Sequence, residues 1–428
     1  MTLFLKSAAF AASLFILCSC EELGTGGDKS ESSDEGLEYV NRQSKSPKRG
    51  VSFNFGQLPE DDCPLLGNAV SWSYDWSNNI PSAKTQAQFD KYGMEFIQMC
   101  WNNNYNADNI RNYNAAHSGT GYLLGFNEPN LTDQCNMVPS VAATYWPAVV
   151  SLAKSAGLKL ISPAMNYGTL AGYHDPYKWL DEFFAIDGIS LDDIDGIAVH
   201  CYMGTVQALK GYMNGFKKYG KPLWLTEFCN WDGNVGLTSQ MEYMVEAINY
   251  LEQDKDVERY AWFIPRGVGK NECNNNLLTS GKKPLKLTEL GVVFTNMSSF
   301  DESLYYEEGE VIPAEHYVAC EGAVHLAPLT DDKGILELYD LRKQCSVDYQ
   351  IEISADGEYT LEIRYNSYRD AEISFSSRNG RQAFILPNTQ RTWKTERFDI
   401  NLPQGKQTIR IESMTEVSPK YNWFRIIN

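Results

Sequence analysis

Two glutamates each close an apolar, strand-like run: Glu128 in Leu-Leu-Gly-Phe-Asn-Glu-Pro (123–129) and Glu227 in Leu-Trp-Leu-Thr-Glu-Phe (223–228). One such residue alone commonly turns the chain toward solvent or accepts hydrogen bonds from a following helix. A matched pair allows different chemistry. One carboxyl group can protonate a leaving oxygen while the other carboxylate attacks carbon or activates water, and cleaving a glycosidic acetal demands both. Pro129 biases Glu128 away from helical backbone, which directs its side chain along the strand exit. For the acid role Glu128 must hold a proton near neutral pH, so burial and the nearby Glu227 charge are expected to raise its pKa. The carboxyl groups should stand about 5–5.5 Å apart for retention of anomeric configuration and about 6.5–9.5 Å apart for inversion.

Residues so distant in sequence share a cleft only if the fold gathers strand ends. Between residues 48 and 300, β-rich runs alternate with helical patterns, and eight are counted, at 50–54, 69–74, 95–101, 122–126, 158–163, 196–202, 222–227 and 259–264. This alternation predicts an α/β fold, a (β/α)8 TIM barrel. Buried stripes support the helices between: Ala143, Trp146, Val149, Val150 and Ala153 in one, and Met241, Met244, Val245, Ile248 and Leu251 in another, opened by Thr238 or Ser239 as N-cap. In such a barrel the C-terminal strand ends form the mouth, with Glu128 leaving the fourth strand and Glu227 the seventh. Trp72, Tyr74, Trp101, Asn166, His200, Tyr202, Trp231 and Trp262 fall at or near other strand ends. Rings and amides suit a sugar, whose C–H faces pack on aromatics while its hydroxyls seek hydrogen bonds, although Trp101 and Trp231 equally suit core packing.

The chain of 428 residues accommodates a barrel of about 250 and a module of about 100. A net charge of −18 works against broad nucleic-acid or anionic-polysaccharide surfaces and favours a neutral ligand. No CxxC pair or Cys/His cluster has zinc-like spacing. Cys63, Cys135 and Cys273 lie in loop-like contexts and Cys320 and Cys345 near the C-terminus, where some could pair in an exported protein; Cys100, Cys201 and Cys229 equally fit buried thiols.

Residues 1–20 read as an export signal, with Lys6 followed by an apolar stretch at 8–17. Leu17-Cys18-Ser19-Cys20 resembles a lipobox, which implies a bacterial lipoprotein acylated at Cys20 and anchored to a membrane by that lipid. Residues 21–47, poor in aromatics and rich in Glu, Asp, Ser, Gly and Lys, are expected to form a disordered tether. Acidic residues directly after Cys20 resemble surface-export signals of Bacteroidetes lipoproteins, implying the outer face of the outer membrane.

Lys-Arg-Gly-Val-Ser-Phe-Asn (48–54), Val-Ser-Trp-Ser-Tyr-Asp-Trp (70–76), Gly-Phe-Asn-Glu-Pro-Asn (125–130) and Trp-Leu-Thr-Glu-Phe (224–228) occur in that order. Together they resemble glycoside hydrolase family 128, retaining β-1,3-glucanases, over residues 48–300. The resemblance implies Glu128 as acid/base, Glu227 as nucleophile and Asn127 on the 2-hydroxyl of the attacked sugar. It also implies Tyr202, beside His200, orienting the nucleophile and Trp262 flooring the adjacent subsite; Trp72, Trp101 and Trp231 are substrate-path candidates from their places at strand ends alone. The expected substrate is laminarin-like β-glucan, cleaved internally by a monomer with no catalytic cofactor. Another β-glycan, or surface glycan binding without hydrolysis, are the alternatives.

Short alternating runs at 351–354, 358–365, 372–376, 397–402, 406–413 and 422–427 predict a β-sandwich (jelly-roll) domain over 301–428. Val-Ile-Pro-Ala-Glu-His-Tyr (311–317), Leu-Pro-Gln-Gly-Lys-Gln-Thr-Ile-Arg (402–410) and Asn-Trp-Phe-Arg-Ile (422–426) resemble family 6 carbohydrate-binding modules. Tyr349 fits that family's first sugar-gripping position, but Gln390 stands where a ligand Trp is expected, and Trp393 reads as structural. The family's structural calcium implies Glu315, with Asn422 near the usual Asp. Glycan binding and a purely structural cap both remain open for this module.

Overall fold

Gly50 and Gly196 have no side chain because two indoles occupy the space: a Cβ on Gly50 would come within 2.4 Å of Trp72, and one on Gly196 within 2.9 Å of Trp224. The computed structural model describes residues 42–117, 121–267, 273–281 and 283–428. The export signal, Cys20 and the tether as far as residue 41 lie outside the described residues. The first half of the chain alternates strand and helix as β1 (Arg49–Ser52), α1 (Pro59–Leu66), β2 (Trp72–Tyr74), α2 (Ala83–Tyr92), β3 (Glu95–Phe96), β4 (Gln98–Met99), α3 (Ala107–Ala116) and β5 (Tyr122–Leu124). It continues with α4 (Pro139–Ala156), β6 (Lys159–Leu160), α5 (Pro176–Phe184), β7 (Ile197–Cys201), α6 (Val206–Phe216), β8 (Leu223–Phe228), α7 (Leu237–Gln253), β9 (Val257–Trp262) and α8 (Glu289–Asn296).

All pairings between these strands are parallel, in one sheet ordered β3-β2-β1-β9-β8-β7 and another ordered β4-β5-β6. The third expected run, 95–101, is divided at Ile97, its halves pairing with β2 and β5 respectively. The fifth, 158–163, is a strand only at Lys159–Leu160, but single bridges join Ile161 to Gly196, Met165 to Val199 and Asn127 to Ala164. Alternate residues of the strands of both sheets build one inner layer of Trp72, Tyr74, Ile97, Met99, Leu124, Ile161, Ala198, Trp224 and Ala261. Beneath it Arg259 lies over the rings of Trp72, Tyr122 and Trp224 and pairs with Glu95 at 2.6 Å.

The apolar stripe of α7 is buried as its spacing requires. The helix nevertheless starts earlier than expected: Gly236 is the N-cap, and Thr238 and Ser239 lie inside the first turn. On α7, Glu242, Glu246, Asn249 and Gln253 meet the C-terminal region through Tyr339, His325, Tyr317 and the Cys320 amide. That β-rich region forms two six-stranded sheets. One contains Ser346–Ile353, Gly405–Ser413, Ala371–Ser377 and Gly380–Leu386, and the other Leu336–Tyr339, Lys420–Ile427, Gly357–Asn366 and Lys394–Leu402. Their apolar faces meet, with the rings of Tyr349 and Phe424 5.2 Å apart.

Residues 42–47, assigned by composition to the tether, are held in place. Arg42 pairs with Glu310 at 2.8 Å, Ser44 donates to Asp301, and Lys45 Nζ donates to the carbonyls of Gly67, Val70, Tyr92 and Gly93. Lysine beside four carbonyls offsets loop entropy that composition alone cannot register. Cys63, Cys100, Cys135, Cys201, Cys229, Cys273, Cys320 and Cys345 are all free thiols, so none of the pairings left open by the sequence forms.

Arg49 ties this half together from β1. Its guanidinium is buried, donates to Tyr260 Oη and the carbonyls of Phe294 and Ser298, and pairs with Glu252 at 3.5 Å. Arg49→Met removes the cation and leaves Glu252 buried, so we expect a loss of about 3–5 kcal/mol. A denaturation midpoint within error of wild type would contradict this account.

Candidate active site

The Gly-Phe-Asn-Glu-Pro-Asn segment leaves β5 under tight constraint. A Cβ on Gly125 would lie 2.8 Å from the Ile161 carbonyl oxygen, so glycine permits the close approach that brings residues 161–164 alongside. Ala164 then accepts a hydrogen bond from the Glu128 amide at 3.0 Å. Glu128 has φ of +45°, so Pro129 excludes the right-handed helix as expected while the residue takes left-handed rather than extended backbone. Such a conformation costs of order 1–3 kcal/mol in a non-glycine residue and persists only where its surroundings enforce it. Asn130 completes the motif by donating to the Asn166 carbonyl at 2.6 Å.

Glu128 and Glu227 face one cavity of about 650 Å³, and each is nearly buried. Oε1 of Glu128 accepts from Asn166 Nδ2 at 2.9 Å and lies 2.8 Å from His200 Nδ1. Oε1 of Glu227 accepts from Tyr74 Oη at 2.9 Å and Trp76 Nε1 at 2.7 Å, and Oε2 accepts from Tyr202 Oη. His200 Nδ1 is also 3.5 Å from Glu227 Oε2. One oxygen of each carboxylate and one His200 nitrogen lie within 4.8 Å of one another. These three side chains have the spacing of metal ligands, but the Trp, Tyr and Asn donors already aimed at the carboxylates equip them for an organic substrate.

The proton balance differs from the sequence expectation. Burial alone would raise the Glu128 pKa, but the His200 charge and the hydrogen bonds from His200 and Asn166 outweigh it and hold the carboxyl below its ordinary value. His200 moves the opposite way: burial would lower its pKa, and the charges of Glu227 and Glu128 raise it above the usual imidazole value. The proton expected on Glu128 therefore rests on the imidazole, across a 2.8 Å contact. Tyr74 and Tyr202 are raised by burial and then by the carboxylates, so both remain protonated donors.

Asn127, Trp101, Tyr202 and Trp231 line the cavity, as the sequence suggested. Asn127 donates to Gln134 at 3.2 Å and retains a buried Oδ1 with no partner among the described residues. Trp231 is 51% exposed, edge-on to Tyr202 and near Phe263. Three assignments change. Trp72 is fully buried and donates to the Lys48 carbonyl, below the mouth. Trp262 is likewise buried, donates to the Asn275 carbonyl and packs against Phe228, while the next residue, Phe263, lines the cavity. His200 is buried behind Glu128 and does not line the cavity, so it acts through a carboxylate.

Trp76 had no assigned role in the sequence, although the two-residue alternation that places Trp72 and Tyr74 inward points to it next. Phe263 and Gln134 carried no comparable signal. In the C-terminal region Tyr349 is buried and donates to the Ala314 carbonyl at 2.7 Å, so it cannot grip a sugar. Gln390 adopts φ of +56°. Asn422 Nδ2 donates to Asp331, whose carboxylate pairs with Arg364 at 2.8 Å, while Asn422 Oδ1 is buried with no hydrogen-bond partner among the described residues.

Residues 50–294 match the family described as glycosyl hydrolase catalytic core. Alkali-sensitive linkage protein 1 of Schizosaccharomyces pombe is 30% identical over 260 residues, 59% of this chain and 45% of that protein. The chain thus spans under half the length of that relative. An endo-β-1,3-glucanase of glycoside hydrolase family 128, subgroup II, from Pseudomonas viridiflava is 36% identical with a TM-score of 0.53, covering 59% of this chain and 98% of its own. Its counterpart from Sorangium cellulosum is 34% identical with a TM-score of 0.52, covering 58% and 98%.

Trp76→Phe removes a donor to a buried carboxylate, so turnover of a glycoside should fall by about 10- to 100-fold. Trp262→Phe should instead lower thermal stability and leave turnover of the folded protein unchanged. Equal turnover losses in the two variants would refute the reassignment.

Proposed function

The chain belongs to the glycosyl hydrolase catalytic-core family and is a glycoside hydrolase, and from that premise we propose a retaining endo-β-1,3-glucanase acting on laminarin-like glucan. The observation that carries the mechanism is the approach of the Glu128 and Glu227 carboxylates, one oxygen of each within 4.8 Å. That spacing supports direct attack by one carboxylate, because inversion needs room for a water between them. The β-1,3 linkage is supported by the likeness to the Pseudomonas and Sorangium enzymes.

In the proposed reaction Glu227 attacks the anomeric carbon while Glu128 delivers a proton to the departing glycosidic oxygen. A glycosyl ester to Glu227 forms and the aglycone leaves as an alcohol. The proton delivered comes through Glu128 from His200, leaving a neutral imidazole; Glu128 then takes a proton from water as that water attacks the same carbon, which frees Glu227 and restores the proton to the Glu128–His200 pair. Tyr74, Trp76 and Tyr202 orient Glu227 by donating hydrogen bonds to its carboxylate oxygens. His200 holds the proton that Glu128 transfers.

The two parallel sheets, linked through the Ile161–Gly196 bridge and the divided 95–99 run, support a closed (β/α)8 barrel. The facing C-terminal sheets support a jelly-roll sandwich resembling family 6 carbohydrate-binding modules. The export signal and Cys20 lipobox support a lipid-anchored protein at the outer membrane surface.

Incubation with laminarin, lichenan, xylan and mannan should release products from laminarin, and Glu227→Gln should cut that release by about 10³-fold or more. NMR of the first-formed product should show the β-anomer; an α-anomer would rule out retention. Because His200 is raised, the Glu128–His200 pair keeps its proton below that raised value and loses it as pH climbs through it. His200→Gln should therefore move the alkaline limb of kcat/KM to lower pH, and an unmoved limb would remove His200 from the proton path.

A further inference from the structure

We propose that an amide-lined groove beside the active-site cavity binds the glucan chain on its glycone side, an inference that rests on the β-glucanase reading above. The groove has a volume of about 480 Å³ and is lined by Asn78, Asn104, Tyr105, Asn106 and Asp108. Two loops carry lining residues of both the cavity and the groove. Trp76 and Trp101 line that cavity, and Asn78 and Asn104 follow them by two and three residues.

The groove is built on a fixed backbone. Buried Gln98 donates to the Asn78 carbonyl at 2.8 Å, and Asn109 donates to Asn78 Oδ1 at 3.5 Å. Asn106 Oδ1 accepts the Asp108 and Asn109 amides at 3.0 Å each and so caps α3, while the Asn104 amide donates to Asn102 at 2.7 Å. No hydrogen bond among the described residues engages the Asn104 carboxamide or the Asn106 side-chain nitrogen. Primary amides both donate and accept without charge, matching the hydroxyls of a neutral sugar.

The direction follows from the carboxylates. Trp76, at the start of one loop, donates to Glu227, the residue that becomes bonded to the glycone. Glu128, which protonates the departing aglycone, is held instead by Asn166 and His200 beyond β6 and on β7. A chain running past Trp76 into the groove therefore extends from the sugar that Glu227 attacks.

The test is an Asn104→Ala/Asn106→Ser double variant, in which Ser keeps the helix cap. Laminari-oligosaccharides of increasing length should show unchanged kcat/KM for the shortest cleaved substrate and a loss of about 5- to 50-fold for long ones. With reducing-end-labelled laminarihexaose, weaker glycone binding should shift cleavage toward the non-reducing end. An equal loss at every length, no loss at any, or a shift toward the reducing end would each overturn the proposal. If wild type cleaves no β-1,3-glucan, the activity reading fails separately. Calorimetric titration then decides the groove: hexaose binding wild type no tighter than triose, or no tighter than it binds the variant, overturns it.

Discussion

Two buried carboxylates and one buried imidazole, with an atom of each inside a 4.8 Å span, impose the constraint from which the rest of the site follows. Removing carboxylates from water is costly unless charge and hydrogen bonds replace the lost solvation. His200 supplies the charge between them, and Tyr74, Trp76, Tyr202 and Asn166 supply the hydrogen bonds. Those donors come from the ends of β2, β6, β7 and their loops, so several strands must terminate at one place. A fold of parallel strands with the inner layer sealed by Trp72 and Trp224 meets that demand.

The motif around Glu128 is explained by the same constraint. Gly125 lets a neighbouring segment approach, Ala164 fixes the Glu128 amide, and Asn130 holds the backbone of Asn166, whose side chain grips Glu128. Gly125 and Asn130 thus act on one carboxyl group through the segment beside it. The left-handed backbone of Glu128 is the local cost of aiming that group into the cavity.

Much of this was legible in the sequence because burial and strand periodicity are local properties. The strand runs, the helix stripes of α4 and α7, and the cavity positions of Glu128, Glu227 and Tyr202 follow from them, whereas Asn127 was implied by the motif resemblance. Trp72 and Trp262 misled because an aromatic near a strand end can face the cavity or be sealed beneath or behind it. Strand alternation separates those cases only once the register is known, and the register of β8 with β9 shifts just before Trp262. The docking of residues 42–47 depended on tertiary contacts that no spacing announces. The His200–Glu128 proton was unreadable for a related reason: its position depends on a distance between residues on β7 and after β5.

Charge gives these features a common direction. With one shared proton, the Glu128–His200–Glu227 group carries a net negative charge inside a chain already at −18. Anionic sugars would meet repulsion both at a distance and at the cleavage point, whereas a neutral glucan would meet none. The oxocarbenium-like transition state of glycoside cleavage develops positive charge at the anomeric carbon, beside Glu227. Low solvent exposure strengthens that attraction, so the same burial that makes the carboxylates costly to hold makes them effective when the bond breaks. Recognition of a neutral chain must then come from rings and amides, which is how Trp76, Trp101, Trp231 and the asparagine loops are distributed around the charged centre.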